Sequence, residues 1–226
     1  MTQQQMPLAL KPPRRPGFAN FIAGDNTALV AVLESGLEAG HWYFLGGPSG
    51  SGRSHLLLAT HARLLASGAK VAYAGMRLAA NRSLLDSLSG DWVLLDDVDS
   101  IAGHDEHERT LFNALNRWRA ERCGVLMSGT TRQDFRLPDL ASRLSQAAAL
   151  RLQPLDEAGL LALVQRLSSD HEVVLGRGAA EYLISRAPRQ PASIAYLMEQ
   201  LAARALNERR TVSVPLVRDV LSSALG

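Results

Sequence analysis

The sequence predicts an α/β fold: a five-stranded parallel sheet with flanking helices, followed by a small all-helical unit. A glycine-rich loop at residues 47–54 lies between an apolar run and a helical pattern, as in a strand–loop–helix motif. Apolar runs and helical patterns then alternate to about residue 154, which favours a parallel sheet covered on both faces. From residue 156 onward, apolar residues recur at helical spacing, which indicates a bundle of helices.

Composition places the chain among globular proteins. Of its 226 residues, 46% are hydrophobic, 20% charged and 5% aromatic, with no apolar run that could span a bilayer and no secretory segment. The single cysteine, Cys123, excludes an internal disulfide and suits a reducing compartment. We therefore expect a cytoplasmic protein with no membrane partner. The net charge of +2 is too small by itself to indicate nucleic-acid binding.

The first 16 residues predict a flexible tail, because three glutamines and a run of prolines and arginines cannot form a core. Within it, Gln5, Leu8 and Leu10 form a short motif that could enter a partner's groove as an extended peptide. Chance occurrence explains the motif as well when it is considered alone.

A helix is predicted over residues 26–39, with a polar cap at its start and Gly40 as its stop. Phe21 and Ile22 precede it. Apolar residues upstream of the loop could pack an adenine ring, and ordinary core packing is the alternative for both.

The glycine-rich loop follows a predicted buried strand at residues 41–45 and fits the pattern G-x-x-x-x-G-K-[ST], except that Arg53 replaces the lysine. Glycines let phosphate oxygens approach backbone N–H groups, and the helix N-terminus adds donors and partial positive charge. Arg53 would reach the β- and γ-phosphates and Ser54 would bind Mg²⁺. Because arginine differs from lysine in geometry, we expect nucleotide binding with weak hydrolysis. The residues predicted to bind the nucleotide here are Gly47, Pro48, Ser49, Gly50, Ser51, Gly52, Arg53, Ser54 and His55.

Two further strands are predicted at residues 70–74 and 92–97, with a helix over residues 77–88 between them. The second of these strands ends in Asp96 and Asp97. The pattern is typical of a site in which the first acid orients Mg²⁺ and the second polarises an attacking water. Acids that merely open a solvated turn are the alternative.

The remaining strands are predicted at residues 124–128 and 148–152, with a short helix that starts at Pro138 between them. Ser128, at a strand end, is a candidate sensor of the γ-phosphate. The histidines and acids at residues 104–108 do not predict a metal site, since acids suit a helix N-terminus and no further ligand is apparent.

Together these motifs resemble the AAA+ ATPases, and within them the DnaA replication-initiator clade, from about residue 18 to residue 225. The resemblance rests on residues 52–57, where a regulatory branch of the clade also carries arginine, on residues 112–115, and on residues 138–144, which resemble the family's box VII. It implies an AAA+ P-loop NTPase core at residues 17–154 and a helical lid domain at residues 155–226.

The same resemblance implies roles for two arginines. Arg143 would be an arginine finger aimed at nucleotide on a neighbouring AAA+ subunit. Arg189 would be a sensor II residue that contacts the phosphates in cis, although Pro188 and Pro191 disturb the expected helix start. A solvated surface arginine is the alternative at both positions.

The implied function is negative regulation of DNA replication initiation. The chain would bind ADP or ATP with Mg²⁺, dock through its tail on the DNA-loaded polymerase sliding clamp (the β subunit), and stimulate hydrolysis of DnaA-bound ATP through Arg143. Contact with DNA would be indirect, at the replisome, and a homodimer stays open. DnaA continues beyond its lid with a DNA-binding domain, whereas this sequence ends at Gly226, so we expect no recognition of origin sequences.

Three rival functions stay open to different degrees. A helicase loader of the same clade usually needs an N-terminal helicase-binding domain, which 16 tail residues do not supply. A small-molecule phosphotransferase is disfavoured by the adjacent acids at residues 96–97 and by the box VII-like stretch. A clamp adaptor with a vestigial nucleotide site needs the same tail, so the sequence hardly separates it from the regulator.

Overall fold

The computed structural model describes residues 15–132 and 134–225. These residues divide into two compact units: an α/β unit, Pro16–Pro154, and a helical unit that contains residues 155–225. Within the described ranges, no helix is both long and apolar enough to cross a membrane.

The α/β unit contains a five-stranded sheet in the order β2-β3-β4-β1-β5, and every neighbouring pair is parallel. This confirms the predicted sheet. Because the carboxyl ends of parallel strands share one edge, the loops that follow β1, β3 and β4 meet there. The strands are β1 Trp42–Gly46, β2 Val71–Gly75, β3 Trp92–Asp96, β4 Gly124–Gly129 and β5 Ala148–Arg151.

Nine α-helices lie in the described part of the chain, five in the α/β unit and four in the helical unit. They are α1 Thr27–Ser35, α2 Arg53–Ala66, α3 Ala79–Arg82, α4 Asp105–Ala120, α5 Pro138–Ser145, α6 Glu157–Asp170, α7 Ala179–Arg186, α8 Pro191–Asn207 and α9 Val214–Leu225. Short 3₁₀ helices cover Phe18–Asn20, Gly24–Asn26 and Val98–Ile101.

The sheet is buried on both faces because successive side chains of a strand point in opposite directions. On β1, Trp42 and Phe44 join the core shared with α4 and α5. Tyr43 and Leu45 join the opposite core, shared with α1 and α2. The apolar run of β1 therefore holds the loop that follows it between two packed layers.

The predicted helix over residues 77–88 is wrong, since only α3 is helical there and residues 83–87 form turns. Arg117 on α4 contacts this segment, since its guanidinium donates to the carbonyls of Asp86 at 2.6 Å, Leu85 at 3.1 Å and Leu88 at 2.9 Å. The Trp118 indole also donates to the Leu88 carbonyl, at 3.0 Å. These contacts bind residues 85–88 to α4 through their backbone carbonyls.

Helix α1 ends at Ser35, four residues before the predicted end. Gly36 is its C-cap, with its N–H bonded to the Val32 carbonyl. The Glu38 N–H then donates to the Tyr43 hydroxyl at 3.0 Å, so the chain turns toward β1 early. Gly40 lies in the following turn with a φ of 77°.

Asn26 joins the two ends of the α/β unit. It is buried, and it precedes α1 without capping the helix through its side chain. Its amide oxygen instead accepts the Gln153 N–H at 2.7 Å, while its amide nitrogen donates to the carbonyls of Gln153 at 3.0 Å and Ala23 at 2.9 Å. One side chain thus satisfies backbone groups 127 residues away.

The helical unit has a core of its own. Helices α6 to α9 bury apolar residues such as Leu160, Leu183, Ile194 and Leu216. Asp156 caps α6, because its carboxylate accepts the Gly159 N–H at 2.7 Å. The helical spacing seen in the sequence therefore corresponds to packed helices.

Candidate functional site

The loop between β1 and α2 has the backbone geometry of a phosphate-binding loop. Gly50 and Gly52 adopt left-handed conformations with φ of 74° and 105°, which favour glycine. Helix α2 begins at Arg53, and its first N–H groups have no partner within the helix. The Ser51 hydroxyl is buried with no hydrogen-bond partner among the described residues. Unpaired donors at a helix N-terminus fit the oxygens of a phosphate group.

Arg53 is folded into the site, with its side chain only 4% exposed. Its guanidinium donates to the Gly47 carbonyl at 2.9 Å and to the Thr130 hydroxyl at 3.0 Å. A third contact is an ion pair with Asp97, at 2.7 Å. The arginine therefore links the loops after β1, β3 and β4.

Asp97 lies just beyond β3, in a left-handed conformation with a φ of 52°. One carboxylate oxygen pairs with Arg53, and the other accepts from Arg77 Nε at 2.5 Å. Arg77 follows β2, and its side chain is 65% exposed. Each Asp97 oxygen is thus paired with one guanidinium group, which occupies two of the about four acceptor sites of the carboxylate.

Asp96 is buried at the end of β3. One of its oxygens accepts from the Ser128 hydroxyl, and the other accepts from the Tyr73 hydroxyl at 3.2 Å. The Ser128 oxygen also accepts the Asp97 N–H at 3.0 Å. Burial, together with the charge of Asp96, raises the pKa of Tyr73, so this phenol stays a donor. Ser128, predicted as a γ-phosphate sensor, is thus engaged in joining β4 to β3.

Phe21 and His55 lie against the loop. A Cβ at Gly52 would be 2.9 Å from Cε2 of Phe21, and the rings of Phe21 and His55 are 5.4 Å apart. His55 Nε2 is 3.0 Å from the Gly17 carbonyl. Burial lowers the pKa of His55, and the hydrogen bond to Gly17 opposes this shift. The structure thus brings Phe21 to the loop, whereas Ile22 is half-buried nearby in the chain.

The residues predicted to bind Mg²⁺ differ in their surroundings. Ser54 is exposed on the first turn of α2, whereas Asp96 is buried with both oxygens hydrogen-bonded. Pro48 and Ser49 are exposed at the tip of the loop. Across residues 15–132 and 134–225, no group of three or more histidine, cysteine and acidic side chains could hold a metal ion.

The two predicted arginine roles fall in different units. Arg143 lies on α5 of the α/β unit, partly exposed, and donates to Gln146 at 3.4 Å. Arg189 precedes α8 in the helical unit, 59% exposed, and lies 3.7 Å from Glu157. Residues 5, 8 and 10 of the predicted clamp-binding motif lie outside the described residues.

Sequence reasoning missed Arg77 and Asp99. The Asp99 carboxylate accepts the Thr130 N–H at 2.9 Å and so holds the loop after β4. Both residues follow a strand of the parallel sheet, at the edge where ligands bind in such folds. Their position two or three residues after a predicted strand was the signal that could have found them.

Comparison with known proteins adds a family match and a set of similar folds. Residues 156–221 match the family model of the Hda lid domain. Domain III of the Thermotoga maritima replication initiation protein DnaA is 16% identical, with a TM-score of 0.78 over 94% of this chain and 98% of that chain.

Two further structures are similar at comparable identity. AMPPCP-bound DnaA from Aquifex aeolicus is 21% identical, with a TM-score of 0.70 over 85% of this chain and 65% of that one. The Thermotoga maritima RuvB Holliday junction branch migration motor is 17% identical, with a TM-score of 0.65 over 91% and 73%. These likenesses confirm the predicted AAA+ fold. Taken with the lid-domain match, they show an AAA+ fold whose helical unit is similar, over residues 156–221, to the Hda lid domain.

Proposed function

We propose that this chain is a negative regulator of replication initiation that stimulates hydrolysis of ATP held by DnaA. The observation that carries the proposal is the placement of Arg143. Its side chain is partly exposed on α5 and makes a long hydrogen bond of 3.4 Å to Gln146, so little energy opposes its transfer to a stronger anionic partner. A guanidinium supplied in trans stabilises the charge that develops on a transferring phosphoryl group.

The chain's own site binds an adenine nucleotide in this proposal. The left-handed glycines at residues 50 and 52, the start of α2 and the buried Ser51 hydroxyl support phosphate binding. A similar DnaA structure holds AMPPCP, which supports ADP or ATP as the ligand. Ser54 and Asp96 would hold Mg²⁺, which would neutralise phosphate charge.

Intrinsic hydrolysis by this chain is weak in the proposal. A catalytic carboxylate must accept a hydrogen bond from the attacking water, whereas both oxygens of Asp97 are paired with Arg53 and Arg77. The bound nucleotide then affects the conformation of the protein, because it stabilises whichever conformation binds it more tightly.

Delivery to DnaA depends on the tail. We assign Gln5, Leu8 and Leu10 to a groove on the sliding clamp, because their spacing resembles clamp-docking peptides. The DNA-loaded clamp would then raise the local concentration of this chain near DnaA.

The test is ATP hydrolysis by purified DnaA, with this protein, the clamp and DNA added singly and together. We expect stimulation that needs all components and that Arg143→Ala reduces by about 10³-fold or more, with nucleotide binding by the variant unchanged. Arg109→Ala, which removes an exposed arginine from α4, is the matched control. Full stimulation by Arg143→Ala would remove the arginine-finger assignment.

A second arm tests the tail. Gln5→Ala combined with Leu8→Ala should abolish clamp binding in a pull-down while leaving the folded units intact. Clamp binding without any stimulation of DnaA would support the rival function of a clamp adaptor.

A further inference from the structure

Glu108 differs from the other acids of the first turn of α4. Asp105 and Glu106 are exposed, whereas the Glu108 side chain is fully buried. Burying a carboxylate costs free energy unless hydrogen bonds replace its water. Its position in the core therefore requires a set of specific donors.

Three backbone N–H groups supply those donors. One oxygen of Glu108 accepts from Gly103 at 2.7 Å and from Arg136 at 3.1 Å, and the other accepts from Leu137 at 2.8 Å. Burial pushes the pKa of Glu108 upward, but these hydrogen bonds and the charge of Arg136 outweigh it and lower the pKa. The group is thus a buried carboxylate that joins the turn before α4 to residues 136–137.

Residues 136–137 lead directly into α5. Leu137 is the N-cap of α5 and provides no side-chain cap, and Pro138 opens the helix. Glu108 holds the N–H groups of the two residues just before the helix, including that of the N-cap residue Leu137. Beyond this point, α5 is anchored by two buried leucines, Leu140 and Leu144.

We propose that Glu108 is a positioning residue for Arg143, a role that rests on the proposed function of Arg143. Glu108 fixes the point and the direction from which α5 starts. Arg143 lies five residues further along this helix, about 8 Å from its start at a rise of about 1.5 Å per residue. A tilt of α5 about its loosened start would displace the guanidinium from a phosphate in trans, and misplacements of about 1 Å can cost 10²-fold in rate.

The test compares Glu108→Ala and Glu108→Gln with a matched control, Glu106→Gln, which changes an exposed acid two residues away. Three quantities are measured on the full chain: hydrogen exchange of each backbone amide, affinity for ADP, and stimulation of ATP hydrolysis by DnaA with clamp and DNA. The glutamine variant keeps one carbonyl oxygen, so at least one of the three N–H groups loses an acceptor.

We expect Glu108→Ala to speed exchange across residues 136–145 by about tenfold or more, because charge-assisted hydrogen bonds are lost. Exchange in β1 and affinity for ADP should stay as in the unsubstituted protein. Stimulation of DnaA should fall about tenfold or more, with Glu108→Gln intermediate and Glu106→Gln unchanged.

Two results would overturn the proposal: a folded Glu108→Ala protein whose α5 exchanges as slowly as before, or a loosened α5 with full stimulation. If Glu108→Ala does not fold, Glu108→Gln is judged by the same two criteria. Failure of the unsubstituted protein to stimulate DnaA would instead reject the proposed function. The exchange data would then still decide whether Glu108 holds α5.

Discussion

The ion pairs of Asp97 predict how a substitution would change intrinsic ATP hydrolysis. Arg77→Ala would leave one Asp97 oxygen available to accept a hydrogen bond from water, while Arg53 keeps its own ion pair. General-base catalysis typically contributes 10²–10⁴-fold, so we expect intrinsic ATP hydrolysis to rise by about tenfold or more. Steady-state release of phosphate measures this change.

The control for this prediction is Arg136→Ala, which breaks an exposed ion pair with Asp105, 3.6 Å long, in the same unit. Its hydrolysis should match that of the unsubstituted protein. If a folded Arg77→Ala protein hydrolyses ATP no faster, Arg77 does not restrain Asp97.

His55 makes stability depend on pH. Its pKa is lowered in the folded protein by burial, so the folded state favours the neutral ring. This contribution is fully present above the unfolded pKa of about 6.5 and is lost as pH falls, because the unfolded chain then binds a proton that the folded chain does not. Urea unfolding at several pH values should show a decline below about pH 6.5 that His55→Asn reduces. His104→Asn, at an exposed position, should leave the decline unchanged.

The strand–loop–helix arrangement around the glycine-rich loop could be predicted from sequence because its pattern is local, whereas the partners of Arg53 could not. Arg53 and Asp97 are 44 residues apart, and Arg77 reaches Asp97 across 20 residues. These ion pairs exist because parallel strands bring three loops to one edge. No local sequence pattern shows which strands are neighbours in the sheet.

At the scale of elements, Arg117 holds residues 85–88 against α4. Arg117→Ala removes three hydrogen bonds from a charged donor to backbone carbonyls. We expect the free energy of unfolding to fall by about 2 kcal/mol or more, since one hydrogen bond to a charged group makes a net contribution of about 1.5–3 kcal/mol. Chemical denaturation with tryptophan fluorescence measures the change.

Arg109→Ala, on the exposed face of the same helix, should change the free energy of unfolding by less than about 0.5 kcal/mol. Equal effects of the two substitutions would show that the contacts of Arg117 contribute no more than any surface arginine.

The strands were predictable because each is a short apolar run between turn residues, and all five occur within one or two residues of their predicted limits. The segment at residues 77–88 was wrongly predicted to be a helix, because the spacing of its apolar residues is compatible both with a helix and with a turn that packs on α4. Tertiary context can override helix propensity, and local spacing does not contain that context.

At the scale of the whole molecule, the sequence indicated a sheet-containing part and a helical part, but not the strand order. The order β2-β3-β4-β1-β5 places β1 between β4 and β5. Strands β2, β3 and β4 therefore lie on one side of β1, and β5 lies on the other. The preference for short connections between successive elements limits the possible strand orders, but it does not select one of them. The neighbours of the glycine-rich loop at residues 47–54 are therefore known only from the structure.

The Asn26 contact with Gln153 has a consequence for folding kinetics. A bond between residues 127 positions apart closes a long loop, and its entropic cost is met only after β5 has joined the sheet. The contact should therefore be absent from the folding transition state. Asn26→Ala is expected to speed unfolding by about tenfold while leaving the folding rate nearly unchanged. Stopped-flow chevron plots measure both rates, and a slower folding limb would show instead that the ends of the α/β unit meet early.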